Sequence, residues 1–158
     1  MTPDVLDVCC GPRGMWFDKR NPHAVYMDIR RETCACSRDR GRARTIVVDP
    51  DILGDFTAIP FPDESFRVVV FDPPHLETKT QCNITKHYGT LTGDWRSMLR
   101  AGFAECFRVL RPGGVLIFKW SEYQFPVREI LALTPVAPLF GHRSGKQSTT
   151  HWLTFMKD

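Results

Sequence analysis

The sequence predicts an α/β protein: a doubly wound, mostly parallel sheet with an antiparallel edge strand. Three observations predict it. Short apolar runs alternate with helix-like stretches along the 158 residues, the pattern of strand–helix–strand units covering both faces of a sheet. The run Phe66–Phe71 lacks polar alternation, as a strand buried on both faces does. The chain closes with two strand candidates, Val136–Phe140 and Trp152–Met156, joined by a basic, glycine-containing loop that suits the antiparallel edge.

Taken in order, Val5–Val8 is a first strand opening into a glycine-bearing turn, Cys9-Cys10-Gly11-Pro12-Arg13-Gly14. Ala24–Asp28 is a second strand ending in an acid. Ile46–Val48 and Ile52–Leu53 are short strand candidates in a stretch broken by Asp and Pro. Asp72-Pro73-Pro74 ends the buried strand abruptly, because proline gives up the ladder donor. Residues 75–93 read as a loop, with no sustained period. Asp94 suits the N-cap of the helix that follows, in which Met98, Leu99, Phe103, Cys106, Phe107 and Leu110 share one apolar face. Pro112-Gly113-Gly114 stops that helix, and Val115–Phe118 is the next buried strand. Pro126–Leu133 suits a short helix with proline in its first turn.

A chain of 158 residues suits a single domain spanning 1–158. Its 42% hydrophobic and 25% charged residues are ordinary for a globular chain, which excludes a disordered or collagen-like class. The longest clean apolar run, Val68–Phe71, is far shorter than the roughly 20 residues that span a bilayer. Met1-Thr2-Pro3-Asp4 carries no export signal, so the expectation is a cytoplasmic protein with no membrane partner. The cysteines Cys9, Cys10, Cys34, Cys36, Cys82 and Cys106 then stay reduced, and the lone Cys34-Ala35-Cys36 lacks the second pair that a zinc site needs. Arg30, Arg31, Arg38, Arg40, Arg42 and Arg44 fall close together, either as a phosphate-contacting surface or as a solvated loop.

Four stretches carry chemistry. The small-residue turn after the first strand lets backbone approach a ligand, although Pro12 removes one donor. Asp28, at the end of the second strand, is placed to accept from both hydroxyls of an adenosine ribose. Asp55-Phe56 offers an acceptor for an adenine amine beside a ring that covers the base. Asp72-Pro73-Pro74-His75 sets a rigid carboxylate and free carbonyls at the end of the most buried strand.

In this order, together with Ile59-Pro60-Phe61-Pro62-Asp63-Glu64-Ser65-Phe66 and Phe107-Arg108-Val109-Leu110-Arg111-Pro112-Gly113-Gly114, these stretches resemble a class I S-adenosylmethionine-dependent methyltransferase over residues 4–120. The wider look resembles small methyltransferases encoded by bacteriophages and prophages, which would place the protein in a host cytoplasm. The resemblance implies a Rossmann-like fold, S-adenosyl-L-methionine as cofactor, and a cofactor site built from Asp7, Cys9, Gly11, Arg13, Asp28, Asp55 and Phe56. Cys9 and Arg13 stand where the family usually has glycine, and Arg13 would narrow the pocket or reach over the cofactor's carboxylate. The resemblance also implies that Asp72, Pro73, Pro74 and His75 are catalytic. Asp72 and the Pro73 carbonyl would accept the hydrogens of an exocyclic amine, adenine N6 being favoured, while His75, in place of the family's larger aromatic, would stack on the base. The implied partner is DNA or RNA. No separate target-recognition domain fits in 158 residues, so loop 76–93 and the arginines would supply the contacts, or a partner subunit would. Two other readings stay open: a methyltransferase of a small molecule or protein, and a cofactor-fold binding module without catalysis.

Overall fold

The computed structural model describes residues 3–39, 42–80, 83–145 and 147–158, without the side chains of residues 36–43. In chain order the elements are β1 (Val5–Asp7), β2 (Ala24–Asp28), β3 (Glu32–Asp39), β4 (Arg42–Val48), β5 (Ile52–Leu53), β6 (Phe66–Phe71), α1 (Asn83–Tyr88), α2 (Trp95–Val109), β7 (Leu110–Ser121), α3 (Val127–Leu131), β8 (Phe140–Arg143) and β9 (Thr150–Met156). Seven strands form one sheet in the order β5-β2-β1-β6-β7-β9-β8. The strands β5, β2, β1, β6 and β7 are mutually parallel. The reversed strand is β9, which pairs antiparallel with both β7 and β8 and so lies second from the edge. The expected mostly parallel sheet is therefore present.

The faces differ from expectation. Along β7, Leu116, Phe118 and Trp120 are fully buried, whereas Val115, Ile117, Lys119 and Ser121 are only half-buried. The buried set joins Leu6, Met27, Val69, Phe71 and Phe155 in one core with Leu99, Phe103 and Cys106 of α2 and Ile130 of α3. The aromatic centre of that core packs edge to face, with Phe71 and Phe103 centroids 5.4 Å apart at 88°. Gly102 lets α2 settle onto it, since a Cβ there would stand 2.7 Å from the Phe56 ring. The other face carries the turns of residues 8–23 instead of a helix. There Trp16 packs on Tyr26, and its indole N–H donates to Asp7 at 2.7 Å.

Four local readings need correction. The strand expected around Val136–Phe140 lies later, as β8 at Phe140–Arg143. The arginine-rich stretch is a two-stranded antiparallel hairpin, β3–β4, not a loop. Residues 75–93 contain α1 and a bridge between Glu77 and Leu91. Residues 110–114 begin β7 as an irregular stretch: Phe66 pairs with Leu110 and Val68 with Val115, so Arg111–Gly114 bulge out of the ladder. Elsewhere β2 and β6 fall where the sequence puts them, and Asp94 caps α2 by accepting from the Ser97 amide. Arg40 and Cys82 lie outside the described residues, as do the side chains of Cys36, Arg38 and Arg42.

The two motifs that the sequence singled out together touch each other. Arg108, at the end of α2, donates to the carbonyls of Ile59 and Phe61 at 2.9 and 2.8 Å and to Asp63 at 2.8 Å. It also grips Glu105 with two N–H groups at 2.7 Å, which holds the Glu105 carboxyl below its ordinary range. Arg111 reaches the carbonyls of Glu64 and Ser65 and the Asp4 carboxylate. The Pro-rich turn before β6 is thus fastened to the start of β7.

Candidate active site

The carboxyl ends of β1, β2, β5 and β6 converge on a cavity of about 380 Å³, where open α/β sheets bind ligands. Its walls include Cys9, Asp28, Ile29, Asp55, Phe56 and Pro74, and Tyr88 of α1 and Met98 of α2 close it from the side. Asp28 is 5% exposed. Its Oδ2 accepts from the Gly11 amide at 2.9 Å, and its Oδ1 accepts from the Arg30 amide at 2.9 Å and from Arg30 Nε at 3.3 Å. Asp55 Oδ1 accepts from the amide and hydroxyl of Thr57, both at 2.8 Å, a turn that fixes its carboxylate. Phe56 is braced by Phe71, ring centroids 5.3 Å apart.

The turn after β1 is shaped by Gly11, whose φ of +48° favours glycine and whose missing Cβ would stand 2.8 Å from the His87 carbonyl. Cys9 lines the cavity as a neutral thiol, its pKa pushed up by burial and by the charges of Asp28 and Asp7. Asp7 lies beneath the turn at 1% exposure, outside the cavity wall. Burial raises its pKa to about 7, against the pull of the Trp16 and Cys9 N–H groups and with a further push from Asp72 and Asp28. Arg13 turns away from the cavity. Its guanidinium lies 3.8 Å over the Tyr26 ring and donates to the Lys19 and Asp49 carbonyls and to Asp51. The reach over a cofactor carboxylate expected of it is thus replaced by a clamp between β1 and β5.

Beside the cavity stands a second, buried cluster. Asp72 is 4% exposed and His75 8%. Lys119 Nζ donates to Asp72 Oδ2 at 2.8 Å. His75 Nε2 lies 3.1 Å from Asp72 Oδ1, but without hydrogen-bond alignment, so Asp72 Oδ1 and His75 Nδ1 are buried with no hydrogen-bond partner among the described residues. The His75 ring meets Trp120 edge-on at 5.1 Å and Tyr88 at 6.1 Å. At 8% exposure the ring has little open surface for the base stacking expected of it. Lys119 also lies 5.0 Å from the Tyr88 ring centroid.

The structure thus brings Cys9, Asp28, Asp55, Phe56 and Pro74 to one cavity and Asp72 and His75 to its neighbour, with the buried Pro73 between them. Gly11 acts through Asp28, and Asp7 and Arg13 shape the turn from outside. Sequence reasoning missed Ile29, Arg30, Tyr88, Met98 and Lys119. Lys119 had a signal, a lone charge inside the apolar run Phe118-Lys119-Trp120. Tyr88 had none, lying in a stretch without periodicity.

No protein-family model matches the chain, and no curated protein matches it in sequence. Solved structures do match in fold. A protein of Pyrococcus horikoshii OT3 superposes with a TM-score of 0.62 at 18% identity, over 98% of this chain and 81% of that one. The N-methyltransferase NodS of Bradyrhizobium japonicum WM9 gives 0.59 at 12% identity, over 98% and 85%. A SAM-dependent methyltransferase of Methanosarcina mazei gives 0.56 at 14% identity, over 99% and 93%. The fold is the one these methyltransferases have.

Proposed function

We propose that the chain is an S-adenosylmethionine-dependent methyltransferase acting on an amine nitrogen. The observation that carries the cofactor is the cavity at the strand ends, in which a buried carboxylate, an apolar plate and a second carboxylate follow one another as Asp28, Ile29 with Phe56, and Asp55. That donor set suits an adenosine: Asp28 for the ribose hydroxyls, Ile29 and Phe56 for the faces of the base, Asp55 for its amine. The S-adenosylmethionine dependence of the Methanosarcina mazei neighbour supports the same reading. Bound there, S-adenosylmethionine supplies a methyl group on a sulfonium, ready for in-line displacement.

The acceptor reading rests on Asp72. Lys119 holds one carboxylate oxygen, and the other, Oδ1, is buried without a hydrogen-bond partner among the described residues. A buried acceptor left open costs stability unless a ligand fills it. An amine N–H donated to Oδ1, and a second to the Pro73 carbonyl, would localise the nitrogen lone pair and aim it at the methyl group. Among acceptors we favour an exocyclic base amine, adenine N6 first, because Asp72-Pro73-Pro74 follows the buried end of β6, Val69–Phe71, and resembles the motif of the amino methyltransferases. A small-molecule or protein amine is the second reading. It is favoured by the packed ring of His75, which offers a flipped base nothing to stack on.

The test is incubation of the full chain with methyl-labelled S-adenosylmethionine and, separately, DNA, RNA and small-molecule extract, followed by identification of the labelled product. Label on an amine nitrogen that disappears with Asp72→Asn is expected. Calorimetry showing no binding of S-adenosylmethionine or S-adenosylhomocysteine would remove the reading.

A further inference from the structure

Arg30 ties the carboxylate of the proposed cofactor site to the helix that covers it. Its Nε and amide donate to Asp28 Oδ1. Its Nη1 donates to the Lys86 carbonyl at 3.2 Å and to Glu32 at 3.0 Å, and its Nη2 donates to the His87 carbonyl at 3.1 Å. These carbonyls lie in the last turn of α1, where helix acceptors need outside partners. A second hold is Lys86 Nζ, which donates to the Ala35 carbonyl of β3 at 2.6 Å. The strap so fastened lies over both parts of the site. Tyr88 walls the cavity and also stands over Lys119 and His75. Asp72 and His75 are almost fully buried, and Tyr88 reaches His75 and Lys119, the partner of Asp72.

The acceptor capacity of Asp28 makes this fastening conditional. A carboxylate offers about four lone-pair sites, and Asp28 already accepts from the Gly11 amide, the Arg30 amide and Arg30 Nε. Two ribose hydroxyls need two sites, and roughly one is left. The longest bond, Arg30 Nε at 3.3 Å, is the one that yields, since the two amides are fixed by the backbone.

We propose that Arg30 is a cofactor-responsive latch: hydroxyl donation to Asp28 draws Arg30 Nε off the carboxylate and loosens α1, which uncovers Asp72 for the acceptor. Cofactor then binds before acceptor, and an acceptor alone finds Asp72 closed. This rests on the proposed cofactor site, and the experiment separates the two.

Amide exchange of the full chain is read by NMR at residues 87–89, with and without S-adenosylhomocysteine. The Gly89 amide donates to the Thr85 carbonyl at 2.8 Å and reports the last turn of α1. In the parent, S-adenosylhomocysteine should speed exchange there at least about ten-fold, the equivalent of one charge-assisted hydrogen bond. In Arg30→Gln the same amides should exchange fast from the start and not respond, while Arg30→Lys, which keeps the charge without the fork, should fall between. Should Arg30→Gln melt early, Arg30→Lys carries the comparison. Slowed or unchanged exchange in the parent, with calorimetry showing S-adenosylhomocysteine bound, overturns the latch alone. Absence of binding overturns the cofactor site and the latch with it.

Discussion

At the amino ends of the parallel strands, the charges answer one another. Arg108 and Arg111 meet Glu105, Asp63 and Asp4, all partly exposed, and both arginines also close backbone carbonyls of the turn before β6. At the carboxyl ends, three carboxylates, Asp7, Asp28 and Asp72, are buried at 1%, 5% and 4% exposure, and the charges of Asp72 and Asp28 add to the cost of ionising Asp7. The first end is built for cohesion, and the second carries the buried charge on which the proposed chemistry rests. The difference teaches where to cut: substitutions at one end should lower stability and spare binding, and at the other should alter binding and rate.

The largest effect should be a pH dependence of stability set by Asp7 at the carboxyl end. The pKa of Asp7 is raised to about 7 in the folded chain, so the unfolded chain binds fewer protons above its ordinary carboxyl range. Stability should therefore fall as pH rises from about 4 to 7 and level off above, a loss of up to about 4 kcal/mol. Urea unfolding at several pH values measures it, and Asp7→Asn should flatten the slope. If the slope persists in Asp7→Asn, the cost lies elsewhere.

Next, Asp72→Asn should lower single-turnover methyl transfer by about 10²–10³, roughly 3–4 kcal/mol. Cofactor affinity should barely change, because the adenosine contacts lie across the cavity. Equal transfer by the variant would make the Asp-Pro-Pro corner a structural turn. Asp28→Ala should show the reverse pattern, losing roughly 2–4 kcal/mol of S-adenosylhomocysteine affinity by calorimetry while remaining folded. The smallest effect belongs to the amino end. Arg108→Ala should cost about 1–2 kcal/mol of stability, since its ion pairs are partly solvated, with calorimetric affinity for S-adenosylhomocysteine unchanged. A fall in affinity there would dissolve the contrast between the two ends.

Much of the sheet was legible because its strands declare themselves without help. Phe66–Phe71 and Ala24–Asp28 are apolar enough that burial decides their fate. The α2 helix is written in its apolar stripe and in Asp94. The hairpin β3–β4 was hidden because its arginines suggest solvent, while its pairing sets Thr33 opposite Val47 and Cys34 opposite Ile46. The helix α1 was hidden because six residues are too few to be helical on propensity, and it holds its shape through Arg30 and Lys86. In the site, the acids at strand ends were readable from position alone. The roles of Arg13 and His75 were not. Arg13 found Tyr26 and Asp51, and His75 found Trp120, contacts made across the fold.

The reversed strand second from the edge has a consequence in time. Synthesis delivers β8 before β9, yet among the described residues β8 pairs only with β9. During translation, β8 therefore waits without a partner until the last seven-residue strand arrives. That strand must zip onto β7, whose own pairing with β6 spans dozens of residues, a long-range closure of the kind that slows folding. Until it does, Phe140 and Leu139, exposed even in the finished protein, sit on a ribbon with two open edges, the form most apt to find the wrong neighbour. The window of greatest risk thus falls between the synthesis of β8 and the docking of β9 onto β7.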